Sequence, residues 1–340
     1  SYLYKTKQKV MKYIHAYKLD EGKTLNDLHL LTQLLSILKL KVSTKSNIEL
    51  YVDDYTLSEF KKFGIEKLYD NVDTKVLESY PSKKISKQYS SSYKVWVMKH
   101  QEDPFCILDT DLVLHNIKDD VFEKAKVSFL YPVSSTNYPF PTILNKPKNF
   151  NWTDREIVSF GNSLPVSTSV VAFNDMEFLK EYTDRYFEFV LGNKGGVSVK
   201  GFDYYTEGDE QLTIEHWLLS SMIWDKKHDN FGNYVEGFPT QSLTSAISFP
   251  LGLNHQMYNI QRGDLLKELS TQVFHLLSAK DFYDRAIRED NNQFYLQWDS
   301  LKKDLLSANN DFIQYLEKQE YFDILEKIEE YCREIPKGIN

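Results

Sequence analysis

Residues 105–114 read FCILDTDLVL, an apolar run that is interrupted by Asp109, Thr110 and Asp111. A strand that is buried on both faces gives a continuous apolar run of this kind. Charged side chains are rare in such a strand unless they are paired or bind a metal ion. The two aspartates therefore need a compensating partner.

Two hypotheses explain this pair of acids. In a strand, residues i and i+2 point to the same side, so Asp109 and Asp111 would face one point at the carboxyl end of the strand. A hard divalent cation would relieve their repulsion and keep positions open for phosphate oxygens. Alternatively, the strand ends at Leu108 and the acids form a solvated turn. The apolar run resumes at once over residues 112–114, which keeps a metal-diphosphate site open as the sharper hypothesis.

Strand and helix patterns alternate upstream of this run. In order, they are strand 12–17, helix 25–40, strand 48–54, helix 56–63, strand 65–69 and helix 92–99. The alternation predicts an α/β fold, a parallel sheet wrapped by helices with right-handed crossovers. Ligands of open α/β sheets bind outside the carboxyl ends of the strands, which is where Asp109 and Asp111 fall.

Downstream the pattern becomes less regular. We predict strand 126–132, strand 166–173, helix 176–191, helix 210–223, a short strand over 270–277 and an amphipathic helix over 312–332. The polar face of this last helix is rich in Glu rather than Lys or Arg, so an anionic membrane surface is not its expected target.

Length, charge and cysteine content restrict the class of protein. With 340 residues and 41% hydrophobic residues, the chain is long enough to bury a large core. A net charge of -8, with acids and bases interspersed, argues against nucleic acid as a partner. Two cysteines and no zinc spacing favour a reducing, cytoplasmic location. No apolar stretch has the length of a signal peptide core or a transmembrane segment, so we expect neither.

The helix around Lys94, together with the apolar run that ends in Asp109-Thr110-Asp111, resembles the GT-A fold nucleotide-sugar glycosyltransferases. It is most similar to the retaining enzymes related to glycogenin and to bacterial galactosyltransferases. The resemblance implies a mixed, mainly parallel Rossmann-like sheet and a metal-dependent glycosyltransferase. It further implies that Asp109 and Asp111 hold Mn²⁺ or Mg²⁺ against the diphosphate of a UDP-sugar, and that Lys94 and Thr110 contact this donor.

Two further stretches are similar to the same family in order and context. Ser167 and Thr168 fall where the family has a strand with small polar residues that face the sugar. The stretch Asp209-Glu210-Gln211 looks like a degenerate Asp-Gln-Asp motif at the start of a helix. By this matching, Glu210 takes the place of the acid and Gln211 that of the amide on the reacting face of the donor sugar.

The segment from residue 274 to residue 280 looks like the late His-x-x-Gly-x-x-Lys motif of the family. The resemblance makes His275 the third metal ligand and Lys280 a diphosphate-binding residue, although Ser278 stands at the glycine position and the lysine comes one residue early. His255, in Gly-Leu-Asn-His, is the competing third ligand. The resemblance also places Ala16 and Tyr17 close to the base and ribose.

The implied domain organisation has a GT-A catalytic domain over residues 1–285 and a C-terminal helical extension over 286–340. Within the catalytic domain, about 1–115 would bind the nucleotide and about 116–285 would carry the acceptor and catalytic part. The acceptor would be a glycan, such as a growing polysaccharide, or another hydroxyl compound.

The residues alone leave the reaction open. Retention by front-side attack is what the resemblance favours, whereas inversion needs a general base, for which Asp209 or Glu210 is available. A nucleotidyltransferase or phosphohydrolase would use the same metal-diphosphate site, but no glycine-rich phosphate loop is present. A non-catalytic module that binds a sugar nucleotide is the remaining alternative.

Overall fold

A computed structural model gives the fold. It describes residues 11–85, 89, 91–114, 122, 125–129, 150–154, 156, 166–192, 209–228, 248–250, 255–257, 273–275 and 292–333. For residues 209–213, 224–228, 248–250, 255–257, 273–275, 292–298, 300, 301 and 315 it describes the backbone alone. The predicted Lys280 lies outside the described residues.

The described strands form two sheets. Their bounds are β1 (Lys12–Ala16), β2 (Ile48–Tyr51), β3 (Asn71–Asp73), β4 (Phe105–Leu108), β5 (Leu112–Leu114), β6 (Val127–Phe129), β7 (Val170–Phe173), β8 (Ser248–Pro250), β9 (His255–Met257) and β10 (Val273–His275). Seven of them form a sheet in the order β3-β2-β1-β4-β7-β6-β8, and the other three form a sheet in the order β5-β10-β9.

The larger sheet is mixed. β2 pairs with β3 in parallel and β6 with β8 in parallel, whereas β7 runs antiparallel to both β4 and β6. The strand order reverses at β1, because β2 and β3 lie on one side of it and β4 on the other. Open α/β sheets bind ligands at such a reversal, outside the carboxyl ends of the strands.

Helices fill most of the remaining described chain. Their bounds are α1 (Asp27–Ser43), α2 (Asp54–Phe63), α3 (Lys75–Glu78), α4 (Ser92–Lys99), α5 (Met176–Gly192), α6 (Asp209–His228), α7 (Asn292–Leu316) and α8 (Gln319–Arg333). The mixed sheet with its helices confirms the predicted α/β fold class, and the predicted helix 92–99 coincides with α4.

The chain divides into two compact units. The first unit consists of Ser1–Ile14, Lys75–Leu108 and Asp119–Gly252. The second unit consists of His15–Thr74, Asp109–Lys118 and Leu253–Asn340. In the second unit α1 packs against β5, α7 and α8, and in the first unit α4 packs against α5.

Helix α1 is buried on every side, which explains both its leucine content and the position of its polar residues. Every residue from Leu28 to Leu40 is buried, including His29, Thr32, Gln33 and Ser36. Asn26 caps the start of the helix, because its side-chain oxygen accepts a hydrogen bond from the Leu28 amide at 2.9 Å. Buried polar side chains need hydrogen-bond partners, so those of α1 must find them inside the unit.

The predicted elements at residues 65–69 and 312–332 were wrong in detail. Residues 65–69 do not form the third strand: Ile65–Leu68 is a 3-10 helix, and β3 begins at Asn71. Gly64 ends α2 in the left-handed conformation, with φ of 83°, and turns the chain before a strand can start. The predicted helix over 312–332 is two helices, because the chain breaks at Glu317, which has a φ of 51°.

Candidate functional site

Asp109, Thr110 and Asp111 form a buried turn at the carboxyl end of β4, which we call the Asp-Thr-Asp turn. β4 ends at Leu108, the Leu112 amide donates to the Asp109 carbonyl at 3.1 Å, and β5 starts at Leu112. The strand interpretation of the two acids was therefore wrong for the backbone. The alternative was right that the strand ends at Leu108 and that the acids lie in a turn, but it was wrong about solvation, because Thr110 and Asp111 are only 6% and 4% exposed.

Helix α1 contacts the Asp-Thr-Asp turn at Thr110 and also contacts Leu112, the residue directly after the turn. The Nε2 atom of His29 lies 3.3 Å from the Thr110 hydroxyl, and the Ser36 hydroxyl donates to the Leu112 carbonyl at 2.6 Å. The two contacts lie on either side of Asp111 in sequence. The turn is thus held by buried side chains of a neighbouring helix.

Tyr17, the predicted base-binding residue, lies directly after β1 in the same unit. Its amide donates to the Tyr51 carbonyl at 3.0 Å, and its ring stacks on His29 with a centroid distance of 4.2 Å. Ala16 is buried. Since His29 also contacts Thr110, the residue after β1 and the Asp-Thr-Asp turn are joined through one imidazole.

Asp53 and Lys18 form an ion pair near the carboxyl ends of β1 and β2. Asp53 also caps α2, because its Oδ1 accepts from the Thr56 amide at 2.8 Å. Burial opposes ionisation of Asp53, but the hydrogen bonds from Lys18 and Thr56 outweigh it and hold its pKa below the ordinary value. Both oxygens of the Asp53 carboxylate thus have partners within the second unit.

His15, inside β1, is buried and neutral. Its Nδ1 lies 2.9 Å from the Tyr69 hydroxyl, and its Nε2 lies 3.4 Å from the Ser36 hydroxyl. Burial, with a further contribution from His29, lowers the pKa of His15 to about 3. Burial also raises the pKa of Tyr69, so both groups are uncharged at neutral pH.

The small sheet places His275 beside the Asp-Thr-Asp turn. β10 runs antiparallel to β5, and His275 is opposite Leu112, the residue that follows Asp111. β9 lies on the other side of β10, where His255 is opposite Val273. His275 therefore lies on the strand next to β5, opposite the residue that follows Asp111. His255 lies one strand further from β5.

Among the residues with described side chains, no group of three His, Cys, Asp or Glu forms a metal site. The chemistry of the turn nevertheless fits a divalent cation. Carboxylate oxygens are the ligands that Mg²⁺ and Mn²⁺ prefer, and the Asp111 side chain is buried in the turn. Asp109 is half-buried and lies two residues before it.

In the first unit, Lys94 forms a buried ion pair with Glu215. The Lys94 ammonium lies 3.1 Å from Glu215 Oε1 and donates to the Thr168 carbonyl at 3.2 Å. The Thr168 hydroxyl donates to the same Glu215 oxygen at 2.6 Å. Lys94, Thr168 and Glu215 are 7%, 1% and 1% exposed. Two predicted donor-binding residues, Lys94 and Thr168, thus meet on one carboxylate.

Glu215 is the member of this cluster that the sequence analysis missed. Its signal was an acid in the apolar part of a helix, between Ile214 and Trp217. Burial opposes ionisation of Glu215, but the charge of Lys94 and the hydrogen bond from Thr168 hold its pKa below the ordinary value.

Four other predicted site residues lie in the first unit, and the structure describes the side chain of one of them, Ser167. Ser167 is buried, and its hydroxyl donates to the Ser169 hydroxyl at 3.2 Å. Asp209, Glu210 and Gln211 lie in the first turn of α6, one turn before Glu215, with only their backbone described. Their roles, like that of Lys280, stay predictions.

Comparisons with known proteins give similarity at the level of solved structures. No family model matches the chain, and no curated protein matches it. The chain is similar to the galactosyltransferase LgtC in complex with donor and acceptor sugar analogs, with 11% identity, 85% of this chain and 96% of LgtC covered, and a TM-score of 0.40.

Two further solved structures are similar in the same way. Mouse xyloside xylosyltransferase 1 has 12% identity, with 78% of this chain and 96% of that chain covered and a TM-score of 0.39. The glycosyltransferase GlyE of Streptococcus pneumoniae TIGR4 has 12% identity, with 90% of this chain and 64% of that chain covered and a TM-score of 0.33. Similarity at this level shows neither an activity nor a donor nor a metal.

In the part of the chain that the structure describes, no helix combines the length and the apolar character that crossing a membrane requires.

Proposed function

We propose that this protein is a metal-dependent glycosyltransferase that moves a sugar from a nucleoside diphosphate sugar, with a UDP-sugar favoured, to a hydroxyl of a glycan. One observation carries the proposal: a buried Asp-Thr-Asp turn follows β4, and β10 brings His275 into register beside it. Two carboxylates and an imidazole at one turn suit a divalent cation that also binds phosphate oxygens.

The donor set favours Mn²⁺ over Mg²⁺. Mg²⁺ is bound mainly by carboxylates, water and phosphate oxygens, whereas imidazole is a ligand of transition metals. Asp109 and Asp111 alone would accept either ion. With His275 as the third ligand, the nitrogen donor shifts the preference towards Mn²⁺.

His275 is the better third ligand by position. Neighbouring strands are about 4.8 Å apart, so the backbone of His275 lies about one strand spacing from β5 and that of His255 about two. His255 is also two residues further along the ladder, because it pairs with Val273. We therefore propose Asp109, Asp111 and His275 as the ligand set.

The nucleoside would bind near Ala16 and Tyr17, after β1. The Tyr17 ring stacks on His29 and on Phe60, with centroid distances of 4.2 Å and 5.9 Å, which fixes its orientation, and the side chain is only half-buried. We propose that its exposed part contacts the nucleoside. Thr110 is held by the same His29. A donor that lies along this edge of the second unit would bring its diphosphate to the Asp-Thr-Asp turn.

Breaking the bond between the anomeric carbon and the phosphate leaves negative charge on the diphosphate and positive charge on the sugar. A bound metal ion supplies charge neutralisation for the leaving diphosphate, and Lys280 would add to it. Glu210 or Gln211 would offer an oxygen to the sugar as oxocarbenium character develops. Retention would follow if the leaving phosphate accepts the proton of the acceptor hydroxyl.

Lys94 would act on the donor indirectly. Its ammonium is bound by Glu215 and Thr168, so it is not placed to serve as a mobile phosphate ligand. We propose that it fixes Thr168, which with Ser167 would contact the donor sugar. Lys94 is a positioning residue in this account.

A thermal-shift panel tests the proposal. The purified protein is heated with UDP-, GDP- and CMP-sugars, each with and without Mn²⁺, and hydrolysis of the stabilising donor is then followed. We expect one nucleotide class, UDP-sugars, to stabilise the protein only with Mn²⁺, and the stabilisation to be lost in Asp111→Asn. Asp323→Asn, an exposed acid on α8, is the charge-matched control.

The outcomes separate the alternatives. Stabilisation by a UDP-sugar without slow donor hydrolysis or transfer would indicate a non-catalytic binding module. Cleavage of nucleoside triphosphates in preference to sugar nucleotides would indicate a nucleotidyltransferase or phosphohydrolase. An equal response in Asp111→Asn and the native chain would remove the basis of the proposal.

A further inference from the structure

Four buried polar side chains of the second unit form one hydrogen-bonded chain that ends on Leu112, the residue directly after the Asp-Thr-Asp turn. The amide nitrogen of Gln33 lies 2.8 Å from the Tyr69 hydroxyl, which lies 2.9 Å from His15 Nδ1. His15 Nε2 lies 3.4 Å from the Ser36 hydroxyl, which donates to the Leu112 carbonyl at 2.6 Å. This series of hydrogen bonds thus connects β1, α1 and the segment before β3 with the first residue of β5.

The two ends of this chain fix its direction. The Gln33 amide nitrogen can only donate, so the Tyr69 oxygen accepts and its own hydrogen goes to His15 Nδ1. His15 then carries its hydrogen on Nε2 and donates to Ser36, whose hydrogen goes to the carbonyl of Leu112. Only one tautomer of His15 is compatible with every donor and acceptor in the chain.

We propose that Ser36 and His15 are positioning residues of the metal site, which keep the Asp-Thr-Asp turn in the arrangement that a cation requires. This inference rests on the proposed function. His29 and Ser36 are seven residues apart on α1, two helical turns, so they lie on the same face. His29 contacts Thr110 and Ser36 contacts Leu112, so the polypeptide backbone is held on both sides of Asp111.

Mn²⁺ binding to the donor-free protein measures this role directly. Free Mn²⁺ is titrated by electron paramagnetic resonance, with the folded fraction checked by circular dichroism at the same temperature. We expect Ser36→Ala to weaken Mn²⁺ binding about tenfold, the scale on which outer groups around metal ligands act. The matched control is Thr32→Val, because Thr32 is a buried hydroxyl one turn earlier on α1 that donates to the Leu28 carbonyl of its own helix. We expect this control to bind Mn²⁺ as the native chain does.

The tautomer of His15 gives a second readout that does not depend on activity or on the fold of Ser36→Ala. In the native chain, nitrogen NMR of labelled histidine should show the hydrogen of His15 on Nε2. Tyr69→Phe removes the donor to Nδ1, so we expect it to change the tautomer population and to weaken Mn²⁺ binding by a smaller factor, about two- to threefold, since it acts at one remove.

Three results would overturn the inference. They are native Mn²⁺ affinity in folded Ser36→Ala, equal weakening in Ser36→Ala and Thr32→Val, and a hydrogen on Nδ1 of His15 in the native chain. Failure of the proposed function has a different signature. In that case the native chain does not bind Mn²⁺, or Asp111→Asn binds it equally well, and the inference falls with it.

Discussion

The ion pair of Lys94 and Glu215 shows how much a single buried residue can decide. Both side chains are almost fully buried, and each satisfies the other together with Thr168. Removing one partner of such a pair leaves an uncompensated charge in the interior, whereas removing both leaves none. The pair therefore makes the first unit sensitive to single substitutions at either position.

We expect Lys94→Met to lower the free energy of unfolding by about 3–5 kcal/mol, measured by urea denaturation at pH 7. Lys99→Met on the same helix is the matched control, because Lys99 pairs with Asp184 at the surface. The control should lose about 0–1 kcal/mol. The double variant Lys94→Met with Glu215→Leu should recover much of the loss. Similar losses at Lys94 and Lys99 would contradict the buried pair.

Two buried histidines make the stability of the folded protein depend on pH below neutrality. His15 and His216 are buried and have pKa values of about 3 and about 4, both lowered first of all by burial. In the unfolded chain they titrate near 6.5. Below pH 6.5 the unfolded chain therefore binds more protons than the folded chain, and stability falls as the pH falls towards the folded values.

Each of these two histidines should contribute a slope of about 1.2 kcal/mol per pH unit between pH 6 and 5. Urea denaturation of the native chain and of His216→Gln at several pH values measures it. We expect the variant to lose the contribution of one histidine from the slope. A slope that is the same in both proteins would show that His216 is protonated in the folded chain.

At the scale of the element, Gly64 ends α2 in a conformation that few residues adopt. Its φ is 83°, and an added Cβ would lie 3.5 Å from Ile324, an ordinary contact. The cost of a side chain at this position is therefore conformational rather than steric.

We expect Gly64→Ala to lower the free energy of unfolding by about 1–2 kcal/mol, measured by thermal or urea denaturation. Gly64→Asn should cost less, because asparagine is tolerated in the left-handed region. A loss that is equal for alanine and asparagine would speak against the conformational explanation.

The segment after Gly64 also shows which elements could be predicted from the sequence and which could not. Elements with a clear apolar period, such as β1, α1 and α4, were predicted within about three residues at each end, because the period itself sets their limits. The 3-10 helix at Ile65–Leu68 has the composition of a strand, and only the backbone conformation of Gly64 excludes one.

The site was predictable to a similar extent. The two aspartates were found from their local pattern, since charges rarely interrupt an apolar run. That they form a buried turn depends on contacts from His29 and Ser36, which lie more than seventy residues away in sequence. Glu215 and its partner Lys94 are even further apart in sequence, so no local pattern connects them.

In the proposed function, the cation and the nucleotide share one site in the folded protein. Their binding must then be coupled, and the coupling must be reciprocal. We expect Mn²⁺ to raise the affinity for UDP by the same factor by which UDP raises the affinity for Mn²⁺, measured by isothermal titration in both orders. Independent binding of the two ligands would contradict a shared site, and Asp323→Asn should preserve the coupling.

The most direct measurement is a crystal structure of the protein with Mn²⁺ and a UDP-sugar, with the ion located by its anomalous signal. The account predicts one ion that is coordinated by Asp109, Asp111 and His275 and by both phosphates of the donor. An ion bound elsewhere, or a donor whose diphosphate lies away from the Asp-Thr-Asp turn, would contradict it.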